Sequence, residues 1–157
     1  MNEINNFKEE YRFLSNFYQC DFEYDGILYH NAETAFQAQK CKTVEERKEF
    51  ALLKNPVIAK RKGRAIKNLD VVKWNKESEE IMYQILKCKF NVPELKEKLL
   101  DTGDALLIEG NKHHDNKWGA CMCDACKNKT KSNLLGNILM RIRKESKWWN
   151  TKTFMKN

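Results

Sequence analysis

Glu33-Thr34-Ala35-Phe36-Gln37-Ala38-Gln39-Lys40 decides how this chain reads. Asn31, just ahead, is a good helix N-cap, because its side chain can accept an N–H that the first turn leaves unpaired. Read as a helix ending near Cys41, the stretch stacks Glu33, Gln37 and Lys40 at i, i+4 and i+7 on one face. Ala32, Ala35, Phe36 and Ala38 make the rest small and apolar enough to pack. A carboxylate, an amide and an amine along one helix suit chemistry on a polar, sugar-like substrate. The plainer alternative is a solvated stripe carrying a Glu/Lys pair, which is the commoner meaning of such a pattern alone.

On the N-terminal side, Phe22 to Tyr29 reads as a β-hairpin whose Asp25-Gly26 supplies the positive φ angles of a type I′ turn. On the C-terminal side, Thr43-Val44-Glu45-Glu46 matches a capping box and opens a second helix. Asn55-Pro56 stops that helix and starts a third, with Asn55 as cap and proline at N1. Gly63 ends or loosens it.

Trp74 to Phe90 is the cleanest amphipathic helix, with Trp74, Ile81, Met82, Ile85, Leu86 and Phe90 on one stripe. Pro93 to Leu100 is a short helix, and Ala105 to Glu109 a buried strand. A polar loop runs from Gly110 to Ser132, followed by a last helix through Leu134, Leu135, Ile138, Leu139 and Ile142. The expected fold is α+β: one mostly helical domain over residues 1–147 with a small β-hairpin or sheet. Residues 148–157, with Trp148 and Trp149, are expected to fray or dock loosely as a tail.

The 157 residues suffice for one domain with a real core, and 41% hydrophobic with 32% charged residues excludes a disordered or membrane-spanning chain. Met1 opens onto a polar segment with no apolar run of signal-peptide or membrane-span length, so the expected compartment is the cytosol. The net charge of +7 is spread over helices apart from Lys60, Arg61, Lys62, Arg64 and Lys67. Such a balance favours an anionic partner, a phosphate-bearing small substrate before a dedicated nucleic-acid reader.

Six cysteines in a cytosolic chain should be thiols. Cys121, Cys123 and Cys126 fall within six residues, with His113 and His114 upstream. They form either a Cys3His zinc site or a thiol-bearing loop, since the paired CxxC…CxxC spacing is absent.

Four collinear blocks resemble the NADAR, or YbiA-like, family of N-glycosidases. They are Phe13-Leu14-Ser15-Asn16-Phe17-Tyr18, the Glu33–Lys40 stretch, Asp115-Asn116-Lys117-Trp118-Gly119, and Ser132 to Arg143. Together they run from about Tyr11 to Arg143, nearly the whole chain. The cysteine loop departs from the glycine-rich loop of the family's best-known bacterial form. The resemblance implies the family's α+β fold and a hydrolase, with Glu33 as its glutamate. A fixed carboxylate there would stabilise positive charge on the anomeric carbon or activate water; otherwise Glu33 only complements the helix dipole.

Asp115 is the implied second carboxylate, or else the head of an Asx turn. Lys40 would contact phosphate, or as an amine form a Schiff base with an opened ribose aldehyde. Trp74 and Trp118 offer faces for a base, although Trp74 also suits a core role. Glu109, Asn16, Gly63, Arg64, Gly119 and Asn133 match the family pattern and would line the pocket. No cofactor is required, and a structural zinc is the one metal the cysteine loop suggests.

The implied reaction is hydrolysis of N-glycosidic bonds in ribose-phosphate or ADP-ribose conjugates. The substrates would be phosphoribosylated intermediates of riboflavin synthesis, or ADP-ribosyl-guanine adducts on nucleic acid. A non-catalytic module binding ADP-ribose or nucleic acid is the alternative. Carboxylates in the motif blocks speak against it, because a pure phosphate binder gains nothing from negative charge beside its ligand.

Overall fold

The computed structural model describes residues 2–156, so Met1 and Asn157 lie outside the described residues. The chain divides into two compact units. One is Asn16–Val92; the other takes the chain up to Ser15 and again from Pro93 on. The second unit is closed by segments far apart in sequence.

In the Asn16–Val92 unit, β2 (Phe22–Tyr24) and β3 (Ile27–Tyr29) form the expected hairpin, pairing Tyr24 with Ile27. Asp25 (φ 50°) and Gly26 (φ 76°) make its turn, both in the left-handed region that a type I′ turn demands. Four helices follow: α1 (Ala32–Ala38), α2 (Val44–Ala51), α3 (Pro56–Arg64) and α4 (Val71–Lys89).

Each start has its side-chain cap. Asn31 Oδ1 accepts from Thr34 N at 2.8 Å, Thr43 and Glu46 close a capping box, and Asn55 accepts from Val57 N. α4 starts three residues before Trp74, because Asp70 caps it by accepting from Lys73 N. α1 is the hub of the unit, packing on α2, α3, α4 and β3. Its N-terminus is tied down where Asn31 Nδ2 donates to the Lys54 carbonyl at 3.1 Å.

In the other unit, β1 (Glu3–Ile4) pairs in parallel with β4 (Leu106–Leu107). The expected five-residue strand shrinks to two, its ladder partner among the described residues being that short N-terminal segment. A 3-10 helix (Glu9–Leu14), α5 (Pro93–Asp101) and α6 (Leu134–Met155) complete the frame. Leu14, Leu99, Leu107, Leu135 and Leu139 are fully buried, each contributing about 1.5–3 kcal/mol by leaving water.

Arg143 spans α6 to the turn before β4, donating to Thr102 Oγ1 and the Ala105 carbonyl, both at 2.8 Å. α6 is longer than expected: it passes through Trp148 and Trp149 to Met155, so residues 148–155 are helical rather than frayed. Among the described residues, no helix is long and apolar enough to cross a membrane.

The polar loop contains order that its composition hides. β5 (Gly110–Asn111) and β6 (Ala120–Cys121) pair in parallel, and a 3-10 turn covers Asp124–Cys126.

Candidate active site

All seven residues of α1 are buried. Glu33 is 7% and Gln37 5% exposed, so they are interior polar groups, not the solvated stripe of the plainer sequence alternative. One helical turn apart, Gln37 Nε2 donates to Glu33 Oε1 at 2.9 Å. The Glu33 N–H donates to the Asn16 carbonyl at 3.0 Å, which fixes the first turn against the residue opening the unit. Burial lifts the Glu33 carboxyl above its ordinary value. The Gln37 hydrogen bond and the charges of Lys60, Lys40 and Arg64 offset part of that rise.

Two further polar atoms mark this place. Gln37 Oε1 and Asn16 Oδ1 are buried with no hydrogen-bond partner among the described residues, a condition that costs about 1–3 kcal/mol per group. The Gln37 amide is oriented by Glu33, whose carboxylate requires the nitrogen side. Asn16 Nδ2 contacts Met82 Sδ at 3.6 Å. Gly63 lies in the last turn of α3 and does not break it; a Cβ there would run into the Gln37 side-chain amide.

Lys40 departs from its expected place. α1 ends at Ala38 with Gln39 as C-cap. Lys40 therefore sits in the closing turn, its N–H on the Gln37 carbonyl at 3.1 Å, rather than a further turn along the helix face. Burial lowers its amine below the usual lysine range, with Glu33 opposing the shift and Arg64 adding to it. Its Nζ lies 5.4 Å from the Trp74 ring centroid, and Trp74 packs on Phe36 with centroids 5.0 Å apart, tilted by 47°.

Lys40 and Trp74 line a cavity of about 360 Å3 together with Lys42, Asp70, Lys73 and Ile81. Glu33 and Arg64 are not in its wall. Arg64 is exposed at the end of α3, with its charge felt at both Glu33 and Lys40.

Asn16, Glu33, Lys40, Arg64 and Trp74 thus belong to one unit, whereas Glu109, Asp115, Trp118, Gly119 and Asn133 belong to the other. There the side chains hold backbone. Asp115 Oδ1 accepts from Lys117 N at 3.0 Å and Trp118 N at 2.9 Å, which is the Asx turn. Asn133, at φ 45°, donates from Nδ2 to the Leu107 carbonyl at 2.9 Å and accepts from Glu109 N at 3.0 Å. The Glu109 carbonyl accepts from Ala120 N, and Gly119 is buried so close to that carbonyl that a Cβ would collide with it. Trp118 is partly exposed, with Lys117 Nζ 5.6 Å from its ring.

Sequence reasoning missed Asn111 and Asn116, whose Oδ1 atoms accept from Asp115 N and Cys121 N. Asparagine's habit of bonding nearby backbone was the available signal for Asn111; Asn116 reaches five residues on, beyond that pattern. Sequence reasoning set Gln37 on the same helix face as Glu33 without giving it a role, and left Lys60 in the basic cluster rather than in the site.

His114, Cys121, Cys123 and Cys126 converge, their ligand atoms all within 4.8 Å of one another, in a group that could hold a metal ion. Backbone N–H of Cys123, aimed at the Cys121 sulfur, is the first cause drawing that thiol down to about 6. Thiolate is the metal-binding form. His113, the other histidine of the sequence expectation, is not in the group.

The NADAR domain model matches residues 4–147. The N-glycosidase YbiA of Escherichia coli (strain K12) is 33% identical over 138 residues, 87% of this chain and 82% of that protein. The N-glycosidase R617 of Acanthamoeba polyphaga mimivirus is 32% identical over 91 residues, 54% of this chain and 53% of that protein. The chloroplastic riboflavin biosynthesis protein PYRR of Arabidopsis thaliana is 32% identical over 68% of this chain, which spans only 16% of that longer protein. The NMR structure of E. coli YbiA superposes with a TM-score of 0.79 at 29% identity, covering 96% of this chain and 89% of that one. Its likeness extends to the mixed architecture of helices and short strands found here, so the fold is α+β as expected. The chain belongs to the NADAR domain family and, with it, to the hydrolases of N-glycosyl compounds.

Proposed function

We propose that the chain hydrolyses the C1–N bond of a ribose-phosphate or ADP-ribose conjugate, using the groups gathered around α1. The observation that carries this reading is Glu33: a carboxylate 7% exposed, held by Gln37 and attended by Lys60, Lys40 and Arg64. As the C1–N bond breaks, its electron pair leaves with the base nitrogen and positive charge spreads over C1 and the ring oxygen. A fixed carboxylate stabilises that charge. It then takes a proton from the water that adds to C1, while the departing nitrogen gains one. A carboxyl lifted by burial is a better base for that proton than an ordinary one.

Lys40 has two roles open to it. Its ammonium, with those of Lys42 and Lys73 around the cavity, suits the 5′-phosphate of the substrate. Alternatively, the neutral amine favoured by burial adds to C1 of an opened ribose and expels the base nitrogen. Water then hydrolyses the resulting Schiff base, freeing the lysine. The Trp74 ring in the cavity wall offers a face to a base, and the buried acceptors of Gln37 and Asn16 suit sugar hydroxyls. One oxygen of the Asp115 carboxylate is taken by its own turn, and the carboxylate work is assigned to the more deeply buried Glu33. No step uses a metal ion.

Two substrate classes share this chemistry, namely phosphoribosylated intermediates of riboflavin synthesis and ADP-ribosyl-guanine adducts on nucleic acid. Relatives named for riboflavin biosynthesis support the first; the net charge of +7 favours the extended polyanion of the second. Either would place the chain with soluble metabolites or nucleic acid in the cytoplasm. Incubating the chain with one substrate of each class and separating the products tests the reading. Free base with ribose phosphate or ADP-ribose is expected from one class. Recovery of both substrates intact, though bound, would replace the hydrolase with a binding module.

A further inference from the structure

We infer that His114, Cys121, Cys123 and Cys126 bind one zinc ion as a structural Cys3His site that fixes the loop between β5 and β6. A tetrahedral zinc with bonds of about 2.3 Å to sulfur and 2.0–2.1 Å to nitrogen separates its ligand atoms by roughly 3.6–3.8 Å. Here His114 Nδ1 lies 3.3 Å from Cys126 Sγ, 3.5 Å from Cys123 Sγ and 3.9 Å from Cys121 Sγ, and the Cys121 and Cys123 sulfurs are 3.3 Å apart. Four of the six separations are thus close to the spacing zinc imposes, and all ligand atoms lie within 4.8 Å of one another. The donor set is the soft thiolate and imidazole mixture that selects zinc over calcium or magnesium.

Two observations independent of those distances agree. His114 has φ 68°, a left-handed conformation unfavourable for a residue with a Cβ, and such strain persists where something else over-determines it. A histidine turned back onto three sulfurs by its own backbone is that situation. The second is how short the ladder beside the cluster is, so that side-chain hydrogen bonds do much of the shaping of the segment. β5 and β6 pair over two residues each, Gly110 with Ala120 and Asn111 with Cys121. A ladder of that length is not independently stable, and small irregular segments are commonly stapled by a metal or disulfide.

Four protein ligands leave no open coordination position, and Cys121 and Cys126 are fully buried. The site is structural rather than catalytic. The inference does not rest on the hydrolase reading, and it would stand if the chain only bound its ligand.

The test uses the full chain, reduced and prepared without chelator. Elemental analysis should give close to one zinc per chain, and cobalt replacing it should show the d–d bands of a tetrahedral thiolate site. Cys123→Ser, with its partly exposed side chain, should keep the fold and weaken zinc at least tenfold. Cys41→Ser, outside the cluster, should leave zinc unchanged. Should Cys126→Ser fail to fold, His114→Ala supplies the second ligand variant and should also weaken zinc. A folded, reduced chain that carries no zinc and gives no cobalt spectrum overturns the inference. So does a Cys121–Cys123 disulfide as the resident state, seen as a loss of two hydrogens by mass without metal.

Discussion

The β5–β6 loop and the buried polar groups around Glu33 use the same side-chain types in opposite ways. Around the β5–β6 loop, Asn111, Asp115, Asn116 and Asn133 all hold backbone groups, and their chemistry is consumed in shaping the chain. Around α1, Asn16 and Gln37 keep a buried acceptor without a partner among the described residues, and Glu33 keeps a carboxylate that burial disfavours. The difference shows where stability is surrendered. Folded proteins retain such costs chiefly at functional sites, which is why we propose the α1 region as the seat of the chemistry.

Changes to α1 and its neighbours should therefore cost activity, and changes to the loop asparagines should cost stability. After loss of the Glu33 carboxylate itself, the largest effect is expected at Gly63. In Gly63→Ala the new methyl group displaces the Gln37 amide and releases Glu33, so turnover should fall on the order of tenfold to a hundredfold, alongside about 1–3 kcal/mol of stability from overpacking. Turnover unchanged in the folded fraction would remove Gln37 from the site.

Next are the two tryptophans. Trp74→Ala should weaken substrate binding by roughly one to two powers of ten, because stacking on a base is worth about 1–3 kcal/mol. Trp118→Ala in a parallel sample should lose less affinity. Equal losses would bring both rings to the ligand and blunt the contrast. Asn133→Ala removes two hydrogen bonds to backbone and should cost about 1–3 kcal/mol by denaturant unfolding, with the folded fraction fully active. Lost affinity with unchanged stability would return Asn133 to the pocket.

The smallest effect is the stability of Glu33→Gln. A carboxyl whose folded pKa lies above its unfolded one makes the folded state dearer wherever it is charged. The penalty is complete above the raised value and disappears as pH falls to the ordinary value of 4.5. Glu33→Gln should thus melt at or slightly above the native temperature at neutral pH, and the gap should close on acidification. A Glu33→Gln protein clearly less stable at neutral pH would show that the charge supports the fold.

What the sequence made legible follows the range of the forces involved. Caps and turns act over three or four residues, so Asn31, Thr43, Asn55 and Asp25-Gly26 declared their elements outright. The β1–β4 and β5–β6 pairings did not, since a parallel partner is chosen by packing across the chain and two-residue strands leave no period to read. Glu33 was legible through its spacing and its family block. The end of α1 was not: a Gln39 cap turned Lys40 off the helix and toward Trp74. The Asx turn at Asp115 was one of the two readings open there, but the structural use of Asn133 was hidden, because an asparagine in a polar loop reads the same whether it holds backbone or ligand.

The central claim is that Glu33 acts in bond breaking rather than in binding or folding. Turnover and substrate affinity measured together on purified Glu33→Gln test it most directly. The account predicts a folded protein that binds substrate nearly as the native chain does and turns it over at least about a hundredfold more slowly. Near-native turnover in that folded protein would contradict it.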